Sequence, residues 1–292
     1  MRKELRRFQV YSIAAFLAVM GWAATGFSAA VTAPYSQNFD SGTAPNWAAG
    51  QQTATGGGYT NTWSVPVTAG NGVYQDYVYG GPSDTEYAYS ALSVSNLGGA
   101  PATASSFSES TSFEVAGTNV AASAFSMNAG LAALGSANTF GRYTSSLYYM
   151  GQIEVGQGSG NATPAGTMWL QSFPTSGSGG VNLTTTSVFN AAIALNTPYT
   201  MTLSGTYDAS GDLTLLFSVS NGATTTSISD QIAAASVLTG DYFGYRDSAA
   251  NGGGTLQFDN YALSVVPEPS TLALVGLAGG LIALISRKRK AS

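Results

Sequence analysis

Residues 199–229, YTMTLSGTYDASGDLTLLFSVSNGATTTSIS, alternate apolar and polar side chains almost residue by residue. A period of two can bury one side of a strand but leaves no continuous apolar stripe on a helix. Met201, Leu203 and Tyr207 share one face, as do Leu213, Leu215, Phe217 and Val219. Asp-Ala-Ser-Gly-Asp at 208–212 reads as a hairpin turn, and Asn221-Gly222 as the two positive-φ residues of a tighter one. Three successive strands are therefore expected. Asp230–Val237 is expected to form a short surface helix capped by Ser229 or Asp230.

The same pattern recurs upstream and downstream, with no long 3.6-residue periodicity in the body. Further strands are expected at Thr62–Val67, Val73–Tyr79, Glu86–Val94, Phe107–Val115, Arg142–Met150, Thr167–Phe173, Asp241–Tyr245 and Gly254–Val266. The last of these changes phase: Leu256 and Phe258 have one parity, whereas Tyr261, Leu263 and Val265 have the other. A bulge at Asp259-Asn260 reconciles them. More than ten short strands around one core imply an all-β fold, a single two-sheet antiparallel jelly-roll sandwich.

The ends read differently. Arg2, Lys3, Arg6 and Arg7 precede an apolar run, Val10–Trp22, and then small residues, with Ser28 and Ala30 satisfying the small-x-small rule. Residues 1–30 are expected to be a cleaved signal peptide, leaving a β domain at 31–265 and a tail at 266–292. Eight of the ten cations fall in the two tails. The body keeps only Arg142 and Arg246 against thirteen acids, a net charge of −11, which excludes nucleic acid as a partner because phosphate recognition needs a basic footprint. No cysteine or histidine occurs anywhere, and no lysine occurs in the body. Ser–His, Cys–His and Ser–Lys nucleophile pairs and histidine-ligated metals are thereby removed. Any catalysis would have to use carboxylates or tyrosine.

The tail carries the most specific signal. Pro267-Glu268-Pro269 cannot continue a strand ladder at its prolines. Thr271–Ser286 is an uncharged, mostly apolar run of 16 residues. As a short apolar helix it would measure about 24 Å, against roughly 30 Å of membrane hydrocarbon. Arg287, Lys288, Arg289 and Lys290 follow, a basic cluster that would remain cytoplasmic and retain the chain in the membrane. In order, spacing and position this closely resembles the PEP-CTERM sorting signal, with Leu272 standing where many members carry tryptophan. The resemblance implies a Gram-negative source and recognition by an exosortase. It also implies a transient inner-membrane tether, cleavage near the Pro-Glu-Pro segment, and delivery to the cell surface or extracellular matrix.

The body has a fainter likeness. YSQNFDSGTAPNW (35–47) and QFDNYALSV (257–265) resemble the first and last strands of concanavalin A-like lectin/glucanase jelly rolls. Carried over, that resemblance makes Asp40, Asp259 and Asn260 ligands of a structural calcium; a turn and a bulge account for the same residues without metal, and no cofactor is required. The glucanases of that family use a Glu-x-Asp-x-x-Glu strand, which is missing here; Glu154 stands alone, and it, Asp84 and Glu86 read as solvated strand carboxylates. The leading expectation is a non-enzymatic surface or matrix protein. The alternative is a carbohydrate-binding module for extracellular polysaccharide, stacking sugars on Tyr77, Tyr79, Tyr87 and Tyr89, with Trp47, Trp63 and Trp169 also available. A glycoside hydrolase is the weaker alternative.

Overall fold

The structure is a computed structural model that describes residues 30–53, 62–68, 71–95, 104–119, 126–141, 146–157, 166–175, 180–187 and 193–267. The expected signal peptide up to residue 29, the C-terminal apolar helix and the basic cluster lie outside these residues, as do Glu268 and Pro269. Among the described residues no helix is long and apolar enough to cross a membrane.

The strands are β1 (Tyr35–Gln37), β2 (Trp47–Thr53), β3 (Thr62–Ser64), β4 (Val67–Thr68), β5 (Asn71–Gly72), β6 (Tyr74–Ser93), β7 (Ala104–Asn119), β8 (Ser126–Gly135), β9 (Tyr148–Gln157), β10 (Thr167–Phe173), β11 (Val181–Ser187), β12 (Tyr199–Tyr207), β13 (Leu213–Ser220), β14 (Thr225–Ile232) and β15 (Tyr242–Pro267). Apart from the small β4–β5 pair, all are hydrogen-bonded into one ribbon, and every ladder is antiparallel.

Two long strands fold this ribbon into a sandwich. Residues 242–250 of β15 lie between β8 and the 85–93 part of β6; residues 252–258 lie between β7 and the 74–80 part of β6. The register slips between Ala250 and Gly252, and Gly252 takes φ 152°, a value that side chains rarely tolerate. The first sheet thus runs β11-β10-β9-β8-β15-β6-β2, and the second β14-β13-β12-β7-β15-β6-β3.

Inward-facing residues of the two sheets meet across the crease. Tyr245 of the first sheet stacks on Phe258 of the second at 4.4 Å, and Trp47 stacks on Tyr245 at 5.0 Å. The Tyr74 hydroxyl lies 2.6 Å from Ser90 Oγ, joining the two arms of β6. Farther along, Gly151 on β9 leaves room for the Phe217 ring on β13, which any Cβ there would overlap. Leu213, Leu215, Phe217 and Val219 are fully buried, as their alternation predicts. Burying each such side chain stabilises the fold by roughly 1.5–3 kcal/mol.

The three-strand unit β12–β14 and the bulge hold. In β15, Leu256, Phe258, Tyr261 and Leu263 are all core residues, and the register against β7 shifts between Asp259 and Ala262, with Asn260 at φ 53°.

Other expectations need correction. Val73–Tyr79 and Glu86–Val94 are two arms of one strand, as are Asp241–Tyr245 and Gly254–Val266. Asp230–Val237 is not a helix: β14 continues to Ile232, so that Ile228 and Ile232 are buried, and only a 3-10 turn follows at Ala234–Ser236. Neither Ser229 nor Asp230 caps that turn; Asp212 Oδ1 accepts the Ala234 N–H instead. Asn221-Gly222 belongs to a four-residue loop in which only Gly222 has positive φ. Asn221 Oδ1 there accepts the N–H groups of Ala223 and Thr224. Arg142–Met150 enters its strand only at Tyr148, and Arg142 lies outside the described residues.

Candidate functional site

The first sheet has an unusual outer face. On β9, Tyr149, Ile153 and Val155 point into the sandwich, so Tyr148, Met150, Gln152 and Glu154 must point away from it. They are nonetheless buried. Part of the cover is a second, smaller apolar cluster of Ala91, Ala132, Phe140, Tyr148, Met150 and Phe173. Tyr148 stacks on Phe173 at 4.4 Å, and its hydroxyl donates to the Phe140 carbonyl at 2.7 Å, which ties Phe140 over the sheet. Burial drives the Tyr148 phenol upward in pKa, against the pull of the nearby Arg246 charge.

Beyond this cover the face opens into a cavity of about 250 Å³, lined among others by Tyr87, Asn128, Gln152, Gln171, Phe173 and Arg246. Among the lining residues is Arg246, 4% exposed. The strand alternation that sends Tyr245 and Asp247 inward sends Arg246 outward, and its guanidinium carbon sits 4.6 Å from the Tyr87 ring centroid and 5.2 Å from that of Phe173. Gly130 makes the reach possible. It occupies the β8 position between Arg246 and Gln152, where a Cβ would crowd the backbone of both neighbouring strands. Across this gap Arg246 Nη1 donates to Met150 Sδ at 3.0 Å and to Gln152 Oε1 at 3.4 Å.

Among the described residues of the lining, two buried polar atoms have no hydrogen-bond partner: Arg246 Nε, a donor, and Asn128 Oδ1, an acceptor. Asn128 Nδ2 donates to Ser248 Oγ at 3.2 Å. Trp169 is half-buried on β10 opposite Gln152, on the same side as Gln171 and Phe173.

The residues singled out from sequence are scattered. Tyr87 lines the cavity but is buried under Arg246, and Tyr89 is half-buried against the second cluster. Tyr77 is exposed on the outer side of the other sheet, and the side chain of Tyr79 lies outside the described ones. Trp47 and Trp63 belong to the main core, stacked on Tyr245 and Tyr74. Glu154 is not a solvated carboxylate; it is buried on β9, opposite Asn128 of β8. The side chains of Asp84 and Glu86 are outside the described ones. Arg246 escaped notice as a site residue because nothing around it in sequence distinguishes it; its isolation in an acidic body was the available signal.

Asp40, just after β1, lies near Asp259, which with Asn260 forms the bulge within β15. Burial raises the Asp259 pKa; the Asn260 backbone N–H opposes the rise, and the Asp40 charge adds to it. Both carboxylates are engaged. Asp40 accepts from Gly72 N–H and Asn38 Nδ2, and Asp259 accepts from the backbone and side-chain nitrogens of Asn260. Asp259 and Asn260 also border a second cavity of about 320 Å³. Among the described residues no three acidic side chains converge as a metal-binding group.

Comparison with known proteins places the tail. Residues 265–290 match the PEP-CTERM protein-sorting motif. The motif implies export, a membrane-anchored transit stage, exosortase processing and surface release. Pro267 is the last residue of β15 and pairs with Ala104 after a register shift, so, against expectation, the first proline of the Pro-Glu-Pro segment still ends the ladder. Among curated proteins none matches the chain. The body is similar in fold to lectin UEA-II complexed with galactose (14% identity, 80% of this chain and 98% of that one, TM-score 0.46). It is also similar to lectin II from Ulex europaeus (15%, 80% and 98%, 0.45) and to alginate lyase vAL-1 from Chlorella virus (11%, 75% and 93%, 0.43). At such identities the likeness is one of fold alone.

Proposed function

We propose that the protein is a non-enzymatic carbohydrate-binding domain, exported behind a signal peptide and delivered by exosortase cleavage to the cell surface or matrix, where it holds extracellular polysaccharide. The observation that carries this reading is the outer-face cavity: aromatic walls from Tyr87 and Phe173, with Asn128, Gln152, Gln171 and Arg246 supplying polar groups. Sugar sites combine these two chemistries, apolar ring faces against aromatic surfaces and hydroxyls against fixed donors and acceptors. Hydrolysis has less support. It calls for two carboxyl groups about 5–9.5 Å apart across the scissile bond, and among the described residues that line the cavity none is a carboxylate.

Saturable quenching of tryptophan fluorescence by the host's own polysaccharide tests the reading, with Trp169 beside the cavity as reporter. Trp169→Phe should retain binding with a smaller signal. Absence of any saturable response to that polymer, by fluorescence and by pull-down, would end the carbohydrate-binding proposal.

A further inference from the structure

We infer that the cavity is a carboxylate receptor, with Arg246 and Gln152 taking the acid group of a uronate unit in an anionic polysaccharide. This rests on the carbohydrate-binding reading and narrows its ligand class.

The starting point is a buried charge with no anionic hydrogen-bond partner among the described residues. A guanidinium has five N–H donors and does not lose its proton. That of Arg246 is almost wholly buried, yet its described partners are a thioether, an amide oxygen and two aromatic faces, none of them anionic. Buried charges are ordinarily paired, because leaving one unpaired costs more than any neutral hydrogen bond returns. The adjacent acid, Asp247, feels the Arg246 charge but makes no hydrogen bond to it, because it points into the sandwich on the other side of the sheet. A carboxylate bound at the free Nε edge would supply the missing countercharge in the planar, two-pronged geometry that guanidinium favours.

The rest of the lining fits the same guest. Asn128 Oδ1 is an acceptor without a donor, suited to a sugar hydroxyl, while the Tyr87 and Phe173 rings hold the guanidinium in place. Arg246 and Asn128, which carry the unpaired donor and the unpaired acceptor, line one cavity of about 250 Å³, at the small end of ligand sites and suited to a single sugar unit of a longer chain.

The acidic body adds a signature. With only Arg142 and Arg246 against thirteen acids, the surface repels a polyanion at long range, while the buried contact is screened little. Affinity for a uronate oligosaccharide should therefore hold or rise between about 20 and about 150 mM salt. A basic-surface polyanion binder would lose affinity steeply over that range.

The experiment is calorimetric titration of the protein recovered from its host with an oligogalacturonate, its carboxyl-reduced neutral counterpart and a sulfated oligosaccharide. The uronate form should bind at least roughly tenfold more tightly than the neutral form. Gln152→Leu should shrink that preference, and Arg246→Gln should abolish it; should Arg246→Gln fail to fold, the paired ligands on the unaltered protein still decide. Equal affinity for acidic and neutral forms overturns the carboxylate receptor and leaves carbohydrate binding standing. Preference for the sulfated oligosaccharide overturns it in favour of a sulfate site. Binding of none of the three, nor of the host polymer, removes both readings.

Discussion

The core contains a destabilising pair of acids whose effect can be worked out in sign and size. Asp76 on β6 and Asp247 on β15 are both fully buried, and each points into the sandwich near the crease. Burial pushes the Asp76 carboxyl up from 3.8 to about 7, and burial together with the Asp76 charge holds Asp247 well above its ordinary value. Around them stand Tyr74, Ser90 and Tyr245, and Glu109, itself raised by burial despite accepting the Tyr261 hydroxyl at 3.0 Å. Because the folded pKa lies above the unfolded one, the stability is fully present below about pH 4 and is lost as pH rises through about 7. A shift of this size corresponds to about 4 kcal/mol for Asp76, of which about 3 kcal/mol falls between about pH 4.5 and about pH 7.5. In a domain of this size that is roughly 6–12 °C in Tm. Thermal melts followed by circular dichroism should therefore show a higher Tm at the acidic end. Asp76→Asn, which keeps the shape and removes the charge, should raise Tm near pH 7.5 and flatten the pH dependence. A Tm that rises steadily from acid to neutral pH, or an Asp76→Asn protein equally destabilised at both, would refute the reasoning.

Two further outcomes are expected. Chelation with EDTA should leave Tm within about 2 °C, because the carboxylates of Asp40 and Asp259 already accept hydrogen bonds from Gly72, Asn38 and Asn260; a larger fall, reversed by calcium, would establish a structural ion there. Mass spectrometry of the protein from the host's surface fraction should find a C-terminus between Val266 and Ser270 that reverts to Ser292 when the exosortase is deleted; an intact Ser292 in the wild-type membrane fraction would make the tail a plain anchor.

The strands with one wet face were legible in the chain because alternation records which side is buried: β12 and β13 follow their apolar parity, and the phase change in β15 marked its bulge. The tail was legible for a different reason. Its prolines, apolar run and basic cluster act in linear order, so no folding is needed to read them. By contrast β8, Ser-Met-Asn-Ala-Gly-Leu-Ala-Ala-Leu-Gly, shows no alternation because nearly all of it is buried on both sides, and no expected strand covered it. The crease at Ala250–Gly252 was equally silent, since it depends on which ladder each half of β15 joins. The site belongs wholly to this second kind. Tyr87, Asn128, Gln152, Gln171 and Arg246 lie on five different strands, and only the stacking order β10-β9-β8-β15-β6, with Gly130 open between Arg246 and Gln152, brings them to one cavity. Sequence fixes what each side chain can do chemically; pairing over long separations decides which of them meet.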